Sequence, residues 1–386
     1  MVRNWRWLVP VAVVAMGLTA CSSGAGAGSS TTAGTNVSQQ ADAALAALKG
    51  KVLAKGPHGE DPQPASVADL TPDEVTKVKA MGATAAIVMH YGGNDWGTAQ
   101  IAGLKSRFAE LGIQVVAVTD ANFDAGRQVS DIETVMAKKP SIIVSIPTDP
   151  VATASAYKAA SAAGIKLVFM DNVPQGMTAG KDYVSVVSAD NYGNGVVSAH
   201  LMAKALGGKG KIAAIFHNAD FFVTQQRYQG FTDTIAKDYP GISIIDKQGI
   251  AGPDFAGDAQ KVTDAMLTQH PDLNGIWAVW DVPAEGVMAA ARSAGRTDLK
   301  IATEDLGLNV AIALAQKDMV VGLGAQVPFD QGVTEANLAA GALLGKTAPP
   351  YVALSALAVT HDNVLDAWKT VYHADPPADL TKSFKK

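Results

Sequence analysis

The chain of 386 residues is long enough for two domains, and its composition excludes several classes of protein. Charged residues make up 17% of it and the formal net charge is −5, with acids and bases interspersed, so no basic patch indicates a nucleic-acid partner. Cys21 is its single cysteine, which leaves no pair for a disulfide or for a cysteine metal site. The fold must therefore be held together by its core.

Residues 1–20 predict a secretory signal peptide. Arg3 and Arg6 give a basic start, residues 7–17 form a short apolar core, and Leu-Thr-Ala precedes Cys21. The apolar core is shorter than the ~20 residues of a membrane-spanning helix, which favours a signal peptide over a membrane span. The Leu-Thr-Ala-Cys ending resembles the lipobox of bacterial lipoproteins. That resemblance implies a diacylglyceryl group on Cys21 and a location on the outer face of the cytoplasmic membrane.

Two segments of different character follow the signal peptide. Residues 21–40 are rich in Gly, Ser, Thr and Ala, which predicts a lipidated, flexible tether. Residues 41–82 predict a helical extension, in which Thr71 is the N-cap of a second helix and Glu74 completes a capping box. We expect this extension to pack on the outside of the first domain, and a regulatory or partner-docking role is the alternative.

Apolar runs and helical patterns alternate from residue 83 onwards. The predicted strands are residues 85–89, 114–118, 141–146, 166–170, 183–187, 211–216, 242–248, 275–279, 299–303 and 320–325. They are rich in Val and Ile and barely alternate, as parallel strands covered on both faces do. The pattern predicts an α/β fold of two doubly wound parallel-sheet domains joined by a multi-strand hinge. We expect residues 83–188 with 327–356 in one, 189–326 with 357–372 in the other, and a tail at 373–386.

Polar and aromatic side chains gather where the predicted strands end, which is where ligands bind in parallel α/β sheets. His90, Asn94 and Trp96 lie in the loop after the first strand, and Asp171 follows the fourth. Carboxylates and amides can bond to the hydroxyls of a polyhydroxylated ligand, and aromatic planes can cover the C–H faces of a sugar ring. Asp120 and Glu304 are expected to be caps or buried supports, and His217 and Asn218 to be loop residues. An N-cap role for Asp171 is less well supported, because no evident helix follows it.

Several stretches resemble the ribose-binding branch of the periplasmic sugar-binding proteins, which serve ABC importers and have a type I, LacI-like fold. They are GGNDWGTAQIAGLKSRFAELG, IIVSIPTDPVATASAYKAASAAGIKLVFMDN, VVSADNYGNG, RYQGF, HPDLNGIWAVWD and AQVPFDQG. Their order and spacing follow the family pattern from about residue 84 to residue 361. The resemblance implies a fold that closes around its ligand at a hinge.

The resemblance and the strand-end positions together name the candidate ligand-binding residues. These are His90, Asn94, Trp96, Asp171, Asn172, Arg227, Phe255, Trp280, Asp281, Asp305 and Gln326. The resemblance implies carboxylate acceptors at Asp171 and Asp305 and a guanidinium donor at Arg227. Asn172 stands where an arginine is common in the ribose-binding branch, and Trp280 where Asn is frequent. A pentitol, a tetritol, another pentose and a hexose all remain open as ligands.

The chain lacks the sequence motifs of three other kinds of protein. Gly92, Gly93 and Gly97 do not form the G-x-G-x-x-G pattern of a dinucleotide-binding loop. The chain has no G-x-S-x-G elbow and no H-E-x-x-H motif, and its histidines are scattered. A LacI-type repressor needs an N-terminal helix-turn-helix where this chain has a lipobox and a tether. We therefore expect no catalysis, no metal and no cofactor.

The sequence predicts a solute-binding lipoprotein that captures a sugar or sugar alcohol and delivers it to the permease subunits of an ABC importer. We expect it to act as a monomer, with no nucleic-acid partner. Two alternatives remain: a lipoprotein sugar sensor for a membrane receptor, and an envelope enzyme that acts on carbohydrate.

Overall fold

The computed structural model describes residues 29–386, with side chains from residue 36. The predicted signal peptide, Cys21 and the first part of the predicted tether lie outside the described residues. Within the described part of the chain, no helix is both long and apolar enough to cross a membrane.

Two six-stranded sheets form the frame of the molecule. The strands are β1 Thr84–Met89, β2 Gln114–Asp120, β3 Ile142–Ser145, β4 Lys166–Met170, β5 Ser185–Ala189, β6 Gly210–His217, β7 Ile242–Ile250, β8 Gly275–Ala278, β9 Lys300–Glu304, β10 Val320–Ala325, β11 Tyr351–Leu354 and β12 Leu357–Val359. The first sheet has the order β11-β5-β4-β3-β1-β2 and is parallel throughout. The second has the order β12-β10-β9-β8-β6-β7, and only β12 runs antiparallel to its neighbour. The predicted fold class is confirmed.

Helices cover both sheets. They are α1 Ser29–Leu48, α2 Pro72–Lys79, α3 Asp95–Glu110, α4 Ala125–Ala137, α5 Ala154–Ala162, α6 Asn191–Ala205, α7 Phe222–Asp238, α8 Phe255–Gln269, α9 Asp281–Ser293, α10 Leu308–Ala315, α11 Pro328–Leu343, α12 Val364–Tyr372 and α13 Ala378–Ser383, with short 3₁₀ turns at Ala65–Ala68 and His361–Asn363. Because both faces of each sheet are covered, strands such as β1, β3 and β8 are almost entirely buried.

The chain passes between the two sheets three times, and these crossings form the hinge. The first crossing joins β5 to α6, the second joins β10 to α11, and the third joins β11 to β12. We call the unit around the first sheet the first lobe and the unit around the second sheet the second lobe. The carboxyl ends of the parallel strands of both sheets face the cleft between the lobes.

Close packing of two helices in the second lobe fixes the direction of α7. A Cβ atom on Gly195 of α6 would lie 2.1 Å from the backbone oxygen of Arg227, and one on Gly230 of α7 would lie 2.1 Å from that of Tyr192. The two backbones can approach this closely only because both positions are glycine. This contact holds the part of α7 that carries Arg227 against the hinge.

The extension packs on both lobes, which differs from the expectation that it covers the first domain only. Helix α1 begins at Ser29, within the predicted tether, and packs on α6 of the second lobe. Val37 contacts the second-lobe core and Ala41 is buried, because they lie one helical turn apart on the same face. Lys204 forms an ion pair of 2.5 Å with Asp42. From Val37 onwards the stretch is therefore docked, so the flexible-tether prediction is wrong for these residues.

The rest of the extension runs across the first hinge crossing to the first lobe. The backbone N–H groups of Leu53 and Ala54 donate to the carboxylate of Asp190 at 2.9 and 2.8 Å. Gln63 then pairs with Tyr351 of β11 through its backbone N–H at 3.1 Å. Thr71 caps α2 with the predicted capping box. At the other end of the chain, Leu380 in the predicted tail is buried in the second-lobe core.

Candidate functional site

The facing ends of the two sheets enclose a cavity of about 60 Å³. The first lobe lines the cavity with His90, Tyr91, Asn94, Trp96, Phe123, Ile146 and Asp171. The second lobe and the hinge line it with His217, Phe221, Val223, Thr224, Arg227, Trp280, Asp281, Asp305 and Gln326. A cavity that holds one ordered water has a volume of ~10–15 Å³. This cavity is several times larger and therefore has room for a small solute.

Asp171 and Asp305 occupy equivalent places in the two lobes. Asp171 follows β4 and Asp305 follows β9, and both have a left-handed backbone, with φ of 57° and 61°. Each backbone N–H donates at 2.9 Å to the neighbouring strand, to Val187 in one lobe and to Gly324 in the other. A left-handed aspartate is strained and persists only where its surroundings hold it, as is common at binding sites. No helix begins within the described residues 171–184, so Asp171 does not act as an N-cap.

Arg227 is held in a buried network of the second lobe. Its guanidinium donates to both carboxylate oxygens of Asp305, with Nη1–Oδ2 at 2.9 Å and Nη2–Oδ1 at 3.3 Å. Its Nε donates to Asn191 at 3.1 Å, and Nη1 also reaches the backbone oxygen of Val279 at 3.2 Å. Gln326 donates to Asp305 at 3.0 Å. Bidentate, charge-assisted bonds of this kind fix the donors in place before a ligand arrives.

A chain of hydrogen bonds joins this network to Asp171 through the hinge. The Asn191 amide donates to the hydroxyl of Ser188 at 3.0 Å, and that hydroxyl donates to Oδ1 of Asp171 at 2.5 Å. Ser188 belongs to β5 of the first lobe and Asn191 begins α6 of the second. Burial raises the pKa of Asp171 to about 6, although Ser188 and Arg227 oppose the rise. The polar groups of both lobes are thus coupled across the first hinge crossing.

Aromatic rings from both lobes meet around the cavity. His90 stacks on Phe221 of the second lobe, with ring centroids 5.4 Å apart and planes 15° apart. Phe123 meets Phe255 of the second lobe edge to face at 5.3 Å. Burial lowers the pKa of His90 to about 3 and that of His217 to about 4. Both imidazoles are therefore neutral and serve as polar rings.

The first lobe also presents polar atoms that have no partner among the described residues. The indole Nε1 of Trp96 and the Nδ1 of His90 are both buried and lack a hydrogen bond there. Asn94 accepts from the backbone N–H of Gly97 at 2.6 Å, so it caps α3 while it lines the cavity. One polar contact closes the rim directly, because the backbone N–H of Leu308 donates to Asp95 across the lobes at 2.7 Å.

The structure brings most of the candidate residues together and leaves two outside the cavity lining. Phe255 packs behind Trp280, with ring centroids 4.9 Å apart, and Asn172 donates to the backbone oxygen of Pro147 at 3.1 Å. The cavity lining includes His90, Asn94, Trp96, Asp171, Arg227, Trp280, Asp281, Asp305 and Gln326. Glu304 is a buried support, as expected, because Ser198 and Trp277 donate to it.

Sequence reasoning missed several lining residues, among them Tyr91, Phe123, His217 and Phe221. His217, expected to be an ordinary loop residue, is buried and lines the cavity. It is the last residue of β6, so the strand-end rule that selected His90 could have selected it too. Phe123 and Phe221 carry no such signal, because their place in the cavity depends on how the two lobes meet.

Comparisons with known proteins agree with this architecture. A family model described as a periplasmic binding protein domain matches residues 85–347. The ribose import binding protein of Bacillus subtilis (strain 168) is 28% identical over 203 residues, which cover 52% of this chain and 62% of that protein, less than two thirds of its length.

Two solved structures of ABC transporter solute-binding proteins are similar at 25% identity. One, from Agrobacterium vitis with bound α-D-tagatopyranose, has a TM-score of 0.69 and covers 75% of this chain and 99% of its own. The other, from Mycobacterium smegmatis with bound glycerol, has a TM-score of 0.66 and covers 73% of this chain and 96% of its own.

Proposed function

This chain belongs to the periplasmic binding protein domain family and is ribose-binding-like, and from this we propose that it captures a small sugar or sugar alcohol for an ABC-type importer. The observation that carries the proposal is the enclosed cavity between the carboxyl ends of two sheets, with a buried aspartate from each lobe and Arg227 beside them. We assign the binding lobes to residues 83–188 with 327–356 and to residues 189–326 with 357–372.

Each polar group has a distinct part in holding a hydroxylated ligand. The guanidinium of Arg227, already oriented by Asp305, donates to ligand oxygens, and the carboxylate of Asp171 accepts from ligand hydroxyls. The rings of Trp96 and Trp280 cover the C–H faces of the ligand. A ligand that lacks a matching hydroxyl is rejected, because it leaves buried polar groups unpaired.

Closure of the lobes is the step that couples binding to delivery. Contacts such as His90 with Phe221 and Asp95 with the N-terminus of α10 exist only when the lobes meet. A ligand that touches both lobes binds the closed form better and shifts the equilibrium towards it. The closed form then presents a defined surface to the permease subunits.

The small cavity favours solutes from glycerol to a single six-carbon sugar over larger saccharides. The similar proteins whose structures contain glycerol and tagatopyranose support this range of ligands. We further propose that the protein is held outside the cytoplasm by a lipid on Cys21, and that it releases its ligand unchanged.

A thermal-shift and calorimetric screen tests the binding function. The purified protein is screened against glycerol, tetritols, pentitols, pentoses and hexoses, and the bound solute is recovered and identified by mass spectrometry. We expect at least one solute to raise the melting temperature and to be recovered intact. Conversion of the solute into a product, or no binding across the screen, would contradict the proposal.

A pair of variants tests the site itself. Asp171→Ala removes the first-lobe carboxylate and should abolish the shift, whereas Asp264→Ala changes an exposed aspartate of α8 and should preserve it. Uptake of the radiolabelled solute by cells with and without the gene then separates import from a sensor role, since a sensor is dispensable for uptake.

A further inference from the structure

The cavity carries more buried negative charge than its one cation can balance. Asp171, Asp281 and Asp305 all line it and are at most 8% exposed. Arg227 is the only lysine or arginine among the described residues of the lining, and its guanidinium is already paired with Asp305. In the part of the chain that the structure describes, neither Asp171 nor Asp281 forms a salt bridge.

These two carboxylates have only neutral hydrogen-bond donors. Asp171 accepts from the hydroxyl of Ser188, and Asp281 accepts from the backbone N–H of Val282 at 2.9 Å. The imidazoles of His90 and His217 add no positive charge, because burial keeps them neutral. A buried carboxylate without a counter-charge is costly unless a cation or a proton reaches it.

The unpaired atoms of the cavity wall also favour a ligand rich in donors. The carbonyl oxygen of Gln326 is buried without a partner among the described residues, which adds an acceptor to the two carboxylates. Among the described residues of the wall, the indole N–H of Trp96 is an unpaired donor, and the unpaired Nδ1 of His90 donates or accepts according to its tautomer. An ammonium group has three donors and no acceptor, whereas a hydroxyl has one donor and two acceptor lone pairs.

The aromatic rings complete a site of this character. Trp96, Trp280, Tyr91 and Phe123 line the same cavity. The faces of such rings attract cations, with tryptophan the strongest, and the attraction grows when water is excluded. Carboxylates and aromatic faces around one small cavity are therefore complementary to a compact cation.

We propose that the ligand is a small polyol bearing a protonated amine, whose ammonium balances the charge of Asp171 and Asp281 while its hydroxyls contact Arg227 and Gln326. This inference rests on the proposed binding function and narrows its ligand class. A neutral polyol satisfies the hydrogen bonds of this cavity but brings no positive charge, so protons alone are left to neutralise the two carboxylates.

The groups that face the two carboxylates set the pH dependence of binding. The charged and titratable groups that influence Asp171 are Arg227, Asp305, Glu335 and Tyr351, and those that influence Asp281 are Asp305, Glu285, Asp95, Tyr91 and Tyr372. Burial raises the pKa of both carboxyl groups, so protons compete with a cation for them. An ammonium ligand therefore releases protons on binding and binds more tightly at about pH 7.5 than at about pH 5.

Matched pairs of probes test the proposal by calorimetry. Serinol is compared with glycerol, ethanolamine with ethylene glycol, glucosamine with glucose and galactosamine with galactose. We expect the amine of at least one pair to bind at least about tenfold more tightly than its hydroxyl parent, because a charge-assisted hydrogen bond is stronger than a neutral one. Hydroxyl parents that bind as tightly as every amine would overturn the inference and leave the proposed function intact. Failure of all the probes and of the wider polyol screen would contradict both.

Isosteric variants give a second readout. Asp281→Asn and Asp171→Asn keep the shape and remove the charge, so each should reduce the amine-to-hydroxyl affinity ratio about tenfold. Asp264→Asn, on the exposed face of α8, should leave the ratio unchanged. Melting curves of the unliganded variants establish that each is folded. An amine preference that survives both substitutions would overturn the proposal.

Discussion

The two faces of the cleft differ in how their polar groups are satisfied. On the second-lobe face, Arg227 donates to Asp305 and to Asn191, and Gln326 at the hinge also donates to Asp305. On the first-lobe face, the Nε1 of Trp96 has no partner among the described residues, and Asp171 accepts from the hydroxyl of Ser188. The network around Arg227 on the second-lobe face is thus formed before the ligand arrives, whereas Trp96 and Asp171 on the first-lobe face are completed by the ligand.

This difference separates two kinds of mutational effect. A network that is satisfied internally contributes to the folded state and orients its donors, which lowers the ordering cost of binding. Unpaired groups contribute little to folding, or oppose it, and their free energy is recovered only in the complex. Substitutions on the second-lobe face should therefore change stability first, and substitutions on the first-lobe face should change affinity first.

The largest expected effect comes from breaking the second-lobe network. Arg227→Met leaves Asp305 buried without its cation and should lower the free energy of unfolding of the unliganded protein by about 3–5 kcal/mol. Arg292→Met, which removes the half-exposed ion pair with Asp318, should cost less than about 1 kcal/mol. Urea denaturation of both variants measures the difference. Equal losses would show that the Arg227 network is not a stabilising unit.

Substitution of the first-lobe carboxylate Asp171 should stabilise the unliganded protein, and the size of this effect should depend on pH. Burial raises the pKa of Asp171 to about 6, above its value in the unfolded chain, so the folded state binds more protons between about pH 4 and pH 6. Its contribution to stability is complete below the unfolded pKa and is lost as pH rises through the folded pKa. As pH rises from about 4 to about 7.5, the free energy of unfolding of Asp171→Asn should therefore increase by about 2–3 kcal/mol relative to that of the wild type.

Denaturant unfolding at several pH values measures this gain. Asp264→Asn, on an exposed helix face, serves as the control and should follow the wild-type pH dependence. A pH dependence that is the same in Asp171→Asn and in the wild type would mean that Asp171 is not strained by burial.

Two tryptophans, one in each lobe, allow the satisfied and the unpaired faces to be compared with the same type of residue. The Nε1 of Trp277 in the second lobe donates to Ser198 and Glu304 at 3.0 and 3.1 Å, whereas that of Trp96 lacks a partner among the described residues. Trp277→Phe should lower the free energy of unfolding by about 1–3 kcal/mol. Trp96→Phe should leave stability nearly unchanged and weaken ligand binding by about 1 kcal/mol.

Chemical denaturation and calorimetric titration of the two tryptophan variants provide the measurements. The pattern fails if Trp96→Phe destabilises the protein as much as Trp277→Phe, or if only Trp277→Phe weakens binding.

The smallest expected effect concerns the contact that joins the lobes at the rim. Asp95 accepts from the first N–H of α10 across the cleft, whereas Asp124 accepts from Arg127 within its own lobe. Asp95→Ala should speed ligand dissociation about twofold to fivefold, as expected from the loss of ~0.5–1 kcal/mol at a helix N-terminus. Asp124→Ala should lower stability by a similar free energy without changing the dissociation rate. Stopped-flow dissociation and melting curves distinguish the two, and identical kinetics would mean that Asp95 does not hold the lobes closed.

The fold class and the place of several candidate residues at the edge of the sheets could be predicted from local sequence patterns. Buried strands rich in Val and Ile, separated by helical patterns, predict parallel sheets, and side chains that follow a strand of such a sheet must lie at its ligand-binding edge. The places of Asp171, Asp305 and His90 at the cavity could be predicted in this way, because a strand and the residue after it are neighbours in the chain. Local pattern is sufficient wherever the determining interaction is local.

Contacts between distant segments could not be predicted, because they depend on how the lobes and the hinge pack together. Nothing in the pattern around Ser188 and Asn191 shows that they join Asp171 to Arg227, since the bonds depend on how the hinge crosses between the sheets. Helix α1 packs on α6 of the second lobe, although the composition of residues 21–40, which include its first part, predicts a tether. Phe221 enters the cavity for the same reason, because the two lobes meet around it. Side-chain pairs across a cleft depend on how the two lobes pack against each other, and this cannot be predicted from the spacing of residues in the sequence.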